Sequence, residues 1–151
     1  MDVAIKTLSR IKDEVDVNII KYGVDFAKTV ALASSLGLRL NALPKVSHDG
    51  VSEYYWDADV VIDQFKFGAL GMVSLEAIAC GRPVVTYVSP EYKEYDDFPL
   101  KDVNTVDKVA EAIKNASQKL WKTEYNYLIN HHQPEETMER IYNIYTQEIK
   151  I

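Results

Sequence analysis

Glu76 is the one carboxylate inside FGALGMVSLEAIACGRPVV, residues 67–85, and across 72–80 only Ser74 is polar beside it. A carboxylate taken out of water without a partner costs several kcal/mol or takes up a proton. Glu76 therefore needs a partner or a cleft. Its partner could be ligand hydroxyls, such as the diol of a ribose, or an internal ion pair with Arg82; plain exposure is the third possibility. Gly68 and Gly71 precede it, and glycine permits tight backbone geometry and close approach of a ligand. A helix starting after Gly71 would present unpaired N–H groups and a positive dipole end, a suitable seat for phosphate or diphosphate. The glycines alone fit a plain turn equally well.

Other reactive side chains carry weaker patterns. Asp57-Ala58-Asp59 has the spacing of a divalent-cation chelate, but it precedes a strand, whereas ligand sites lie beyond strand ends; it reads as a surface turn. Asp63, near the carboxyl end of that strand, suits either a site or a structural hydrogen bond. His131 and His132 point about 100° apart if helical and have no third ligand at zinc spacing. His48 is a lone loop histidine, and such residues usually contact no ligand. Cys80 reads as a small core residue. Ser74 lacks the G-x-S-x-G context of a hydrolase nucleophile, and no G-x-x-x-x-G-K-[ST] loop occurs. Lys66 and Arg82 flank the turn, where one of them could assist a bound anion; Arg82, before Pro83, reads more simply as a surface residue.

These residues need elements to hold them. Apolar periodicity predicts helix over 2–14, strand over 15–22, and helix over 24–36 stopped by Gly37. A short strand over 38–43, a loop and a helix over 51–56 follow. The third strand, 59–64, carries a VVI core that suggests burial on both faces. Helix 71–80 is apolar nearly all round, which predicts burial, and strand 83–88 follows it. Residues 89–104, acidic and turn-rich, read as an exposed loop. Helices over 105–117 and 120–130 precede a last one starting at Pro134, with Met138, Ile141, Tyr142, Tyr145 and Ile149 as its apolar stripe. Strand–helix alternation predicts an α/β fold, a Rossmann-like, doubly wound parallel sheet with ligands at the strands' carboxyl ends.

At 151 residues, 47% apolar and 26% charged, the chain suits a single globular domain spanning 1–151. Its one cysteine excludes an internal disulfide and fits a reducing compartment. With 23 acids against 17 bases and no basic block, nucleic acid and anionic membranes are unfavourable partners. No apolar run is long enough to span a bilayer. The N-terminus shows no signal-peptide pattern. The expectation is a cytoplasmic protein.

The stretch DADVVIDQFKFGALGMVSLEAIACGRPVVTY resembles the signature region of GT-B glycosyltransferases, in particular the retaining glycosyltransferase family 4 (group 1). LEAIACGRPVV carries the most specific match. VDVNIIKYG, LPKVSHDGVSEYYWDADVVI and the closing HQPEETMERIYNIY extend it over nearly the whole chain. The resemblance implies the donor-binding half of a two-domain enzyme that transfers a hexosyl group from UDP-, GDP- or ADP-sugar to an acceptor, with retention. It implies no further cofactor and no metal. Glu76 corresponds to the second glutamate of the family's E-x7-E motif, which holds the ribose and is the catalytic candidate. Gly68, Ala69, Leu70, Gly71 and Met72 would cradle the diphosphate, and Val46 and Ser47 would border the nucleobase.

The chain also departs from the family pattern. The motif's first glutamate, which contacts the donor sugar, falls on Gly68, although DQFKFGALG is similar to a known variant. The family's first strand, its basic diphosphate pair and its acceptor domain have no counterpart within 1–151, so the expectation is a truncated chain. The missing acceptor half, or a partner chain, would complete it and could bring it to a membrane surface. Two rival functions remain at this stage: a non-catalytic nucleotide-binding or partner-docking module, and a fragment of a nucleotide-sugar epimerase.

Overall fold

The computed structural model describes residues 2–148. Its elements run α1 (Asp2–Arg10), β1 (Asn18–Ile20), α2 (Phe26–Ser35), β2 (Asn41–Leu43), α3 (Val51–Trp56), β3 (Val61–Ile62), α4 (Met72–Ala79), β4 (Val84–Val85), α5 (Val106–Lys114), α6 (Gln118–His131) and α7 (Pro134–Glu148). The strands pair in parallel, β1 with β2 and β3 with β4. Asn18 lies opposite Asn41, and Val61 lies opposite Val84.

Successive residues of a strand face opposite sides of a sheet, and β4 uses this to join two apolar layers. Val85 meets a cluster built from Ala4, Ile5 and Leu8 of α1, Ala33 of α2, and Val109 and Ile113 of α5. Val84 meets the other cluster, with Tyr55 of α3, Ala77 and Ile78 of α4 and Tyr127 of α6. Helices thus cover both faces, as a doubly wound α/β fold requires. The Gly37 stop is seen in detail: its φ is 66°, its N–H reaches Ser34 O at 3.0 Å, and Leu38 N reaches Ala33 O at 2.9 Å. Only glycine adopts that backbone without strain.

Three sequence expectations change. Val60, Val61 and Ile62 were expected to be buried on both faces, yet they are only half-buried, while Val84 and Val85 are fully buried. Among the described residues β3 pairs with β4 alone, so no second strand flanks it. The acidic segment 89–104 is not merely an exposed loop. Phe98 and Val103 plug the core, at 2% and 7% exposure, and the charges turn outward. α4 is not buried all round either: Met72 and Val73 are exposed and Ser74 is buried. The buried side of the first turn carries Ser74, held by Asp63 Oδ2, and Met72 and Val73 diverge from it around the helix by about 200° and about 100°. On α7, Met138, Ile141 and Tyr142 are exposed; the Tyr145 side chain and Ile149 lie outside the described residues. No helix among the described residues is long and apolar enough to cross a membrane.

Candidate functional site

Glu76 lies one turn into α4, on the side facing α3. Tyr55 Oη donates to its Oε2 at 2.8 Å. Its Oε1 lies 3.7 Å from Nδ1 of His48, and its side chain keeps 25% exposure. Arg82 is not its partner; that guanidinium donates to the carbonyl of Trp56. Of the sequence alternatives, the internal ion pair with Arg82 is therefore excluded. One oxygen is fixed by a core tyrosine, and the other faces the loop that follows β2.

That loop carries Val46, half-buried, and Ser47, exposed. Tyr54 Oη donates to Pro44 O at 3.0 Å and ties the loop down. Two consecutive tyrosines of α3 thus anchor different pieces: Tyr54 holds the loop and Tyr55 holds the carboxylate. Adjacent helical residues diverge by about 100°, which lets one short helix do both.

The turn before α4 is organised by Gln64. Its Oε1 accepts from Lys66 N at 2.9 Å and Phe67 N at 2.7 Å. Its Nε2 donates to the carbonyls of Ala69 and Tyr87. The sequence does not single out Gln64: bonding to the backbone two residues on is a habit of Asn and Asp, and the longer glutamine carries no such signal. Replacing Gln64 with alanine forfeits these bonds. At roughly 0.5–1.5 kcal/mol for each of the four net bonds, the fold should lose about 2–6 kcal/mol in urea titrations. Trypsin should also cut after Lys66 faster than in the parent chain; unchanged cleavage would show that Gln64 does not hold the turn.

Gly71 is the N-cap of α4 and offers no side-chain cap, and the first-turn N–H groups of Met72 and Val73 have no intrahelical partner. Asp63 stands beside them. Its Oδ2 accepts from Ser74 Oγ at 2.7 Å and would lie 2.5 Å from a Cβ placed on Gly71. Asp63 therefore has the structural hydrogen bond that was one of its two readings, and glycine at 71 is what lets the carboxylate sit there. Gly68 is turned inward: it is buried, its φ is 72°, and Ser89 N donates to its carbonyl at 2.9 Å. Ala69 and Leu70 are half-buried, and Leu70 packs on the α3–α4–α6 cluster. Around this turn Phe67 and Met72 are 73% and 68% exposed and form an apolar rim.

The remaining candidates lie apart. Asp57 and Asp59 are exposed between α3 and β3. His131 and His132 close α6; His131 pairs with Asp97 at 3.5 Å and stacks on Tyr127, and burial holds His132 below its ordinary pKa. Two cavities of about 370 Å³ lie away from Glu76, one beside α2 and one beside the end of α6. Glu76 itself stands between Tyr55 of α3 and His48 of the loop after β2, partly open to solvent.

The model of glycosyl transferases group 1 matches residues 1–143. No curated protein matches the chain. Among solved structures, a mutant of S. aureus TarM, crystallised with fondaparinux, alpha-GlcNAc-glycerol and UDP, superposes with a TM-score of 0.67 at 17% identity. The match covers 94% of this chain and 32% of that one, so the chain spans about a third of its neighbour's length. That likeness is one of fold, with the same α/β architecture of parallel strands and covering helices. With the family model spanning nearly its whole length, the chain belongs to the glycosyl transferases group 1 family.

Proposed function

We propose that the chain is the nucleotide-sugar-binding domain of a retaining glycosyltransferase, moving a hexosyl group from a UDP-, GDP- or ADP-sugar to an acceptor. The observation that carries this reading is Glu76: a partly exposed carboxylate one turn into α4, with Oε2 held by Tyr55 and Oε1 facing the Ser47–His48 loop. An ionised carboxylate has about four lone-pair directions. One hydrogen bond from Tyr55 leaves room for both hydroxyls of a ribose. The diphosphate would rest on the N–H groups at the start of α4, near Gly71 and Met72, and the base would rest against Val46 and Ser47. Backbone donors aimed at the leaving diphosphate stabilise the charge that develops as the sugar departs. The TarM neighbour was crystallised with UDP, which agrees with this class of ligand.

On this reading further polypeptide, in the same protein or a partner chain, supplies the acceptor site. Residues 1–151 alone should bind nucleotide and transfer nothing. Glu76→Ala removes the charged acceptor. Calorimetry with UDP, GDP and ADP should show affinity for the bound nucleotide falling at least about tenfold, the value of one charge-assisted hydrogen bond. Unchanged affinity would remove Glu76 from the site. The buried, left-handed Gly68 favours a second reading, a non-catalytic binding module, because no side chain there can reach a donor sugar. Sugar transfer by the chain together with the completing half would exclude that module.

A further inference from the structure

Tyr55 is buried to 7% exposure, and its ring packs in the cluster that contains Ala77, Ile78 and Val84. Only its hydroxyl reaches out of the cluster, to Glu76 Oε2 at 2.8 Å. The ring sits on α3, whose preceding residue, Tyr54, pins the loop at Pro44. Burial first, and then the bond to Glu76, push the phenol's pKa well up, so it stays a donor at any ordinary pH. A glutamate has three side-chain torsions, and a partly exposed one without a fixed partner would sample several orientations. A single donor fixed in the core removes most of that freedom before a ligand arrives. Among the described residues Oε1 accepts no hydrogen bond.

We infer that Tyr55 is a positioning residue for sugar-hydroxyl recognition: its hydroxyl holds the Glu76 carboxylate in the orientation that accepts from a ribose diol. The inference rests on the ribose reading of Glu76 and adds a residue from α3, 21 positions upstream, to the site. It predicts a selective defect. Tyr55→Phe keeps the ring in its cluster, and water can reach the vacated oxygen because Glu76 is partly exposed, so the fold should persist with its thermal midpoint nearly unchanged. Binding energy that depends on the diol should drop, and binding through the diphosphate and base should not.

The experiment is calorimetry of the parent chain and Tyr55→Phe with UDP, GDP and ADP and with the 2′,3′-dideoxy form of each. For the nucleotide that binds, the parent's preference for the ribose form should shrink about fivefold in the variant, in keeping with the loss of one hydrogen bond, with dideoxy affinity unchanged. Equal weakening for both forms would reduce Tyr55 to a structural role. An undiminished preference would overturn the inference while leaving Glu76 as the ribose acceptor. A parent chain that binds none of the three, or binds one without preferring ribose, would overturn both readings.

Discussion

Glutamate introduced at position 68 to match the E-x7-E pattern of the family will destabilise the chain severely and will not improve nucleotide binding. Gly68 has φ 72°, a left-handed conformation that costs an ordinary side chain roughly 1–2 kcal/mol. A Cβ there would lie 2.7 Å from Ser89 Cβ and 3.3 Å from Ser89 N. The second neighbour is backbone, and it is held in place by its own bond to Gly68 O. The added carboxylate would start from a buried position and need solvation or a partner. Together these effects are on the order of 4 kcal/mol, a large part of a typical margin of about 5–15 kcal/mol. Urea titration should show a much lower midpoint for Gly68→Glu. Gly68→Ala should fall between the two, since it keeps the backbone strain and the overlap without the charge. A Gly68→Glu chain within about 0.5 kcal/mol of the parent, the range of an ordinary surface substitution, would mean that the turn is open.

The reason position 68 could not be judged from sequence is tertiary. The alignment with the family motif depends on local spacing, while the obstacle is Ser89, beyond β4. What local physics controls was readable. Helix 51–56 and the stop at Gly37 lie where periodicity and glycine put them, and helix α4 differs by one residue at each end. The strands are shorter than their apolar runs because apolar composition continues past the last ladder bond. The partial burial of β3 likewise follows from its pairing with β4 alone, which composition does not encode. In 89–104 a high charge density masked Phe98 and Val103, two isolated anchors with no period to reveal them.

The site divides in the same way. An acid in an apolar run correctly marked Glu76 as needing a partner. Its partner, Tyr55, comes from another helix and has no spacing signal. Gln64 has none either, since its bonds to the N–H groups of Lys66 and Phe67 exist only once the turn is folded. The same question asked of α6 would have found a more deeply buried acid. Leu120, Trp121, Glu124, Tyr127 and Leu128 follow helical spacing along one face, so Glu124 stands in an apolar stripe.

Glu124 should therefore make stability fall as pH rises. It is fully buried; its Oε2 accepts from Val84 N at 3.0 Å, and its Oε1 is without a partner among the described residues. Burial lifts its pKa from 4.5 to about 8, against the smaller opposing pull of the Val84 N–H. In the folded chain the group stays protonated up to about pH 8, while in the unfolded chain it ionises near 4.5. Between those values the unfolded state binds fewer protons, so unfolding becomes easier with each pH unit by up to about 1.4 kcal/mol. Across the window the loss is on the order of 4 kcal/mol, and above it the folded carboxyl ionises too and the decline stops. Glu124→Gln keeps a neutral acceptor for Val84 N and removes the titration. Its urea stability should match the parent near pH 4.5 and exceed it increasingly towards pH 8, by about 2–4 kcal/mol. Glu124→Leu separates charge from hydrogen bond: it should lose stability near pH 4.5, where only the Val84 N–H is orphaned, by about 1–3 kcal/mol. Parent and Glu124→Gln curves that stay parallel from pH 4.5 to 8 would show that this carboxyl ionises freely in the fold, and that α6 packs against β4 less closely than the geometry indicates.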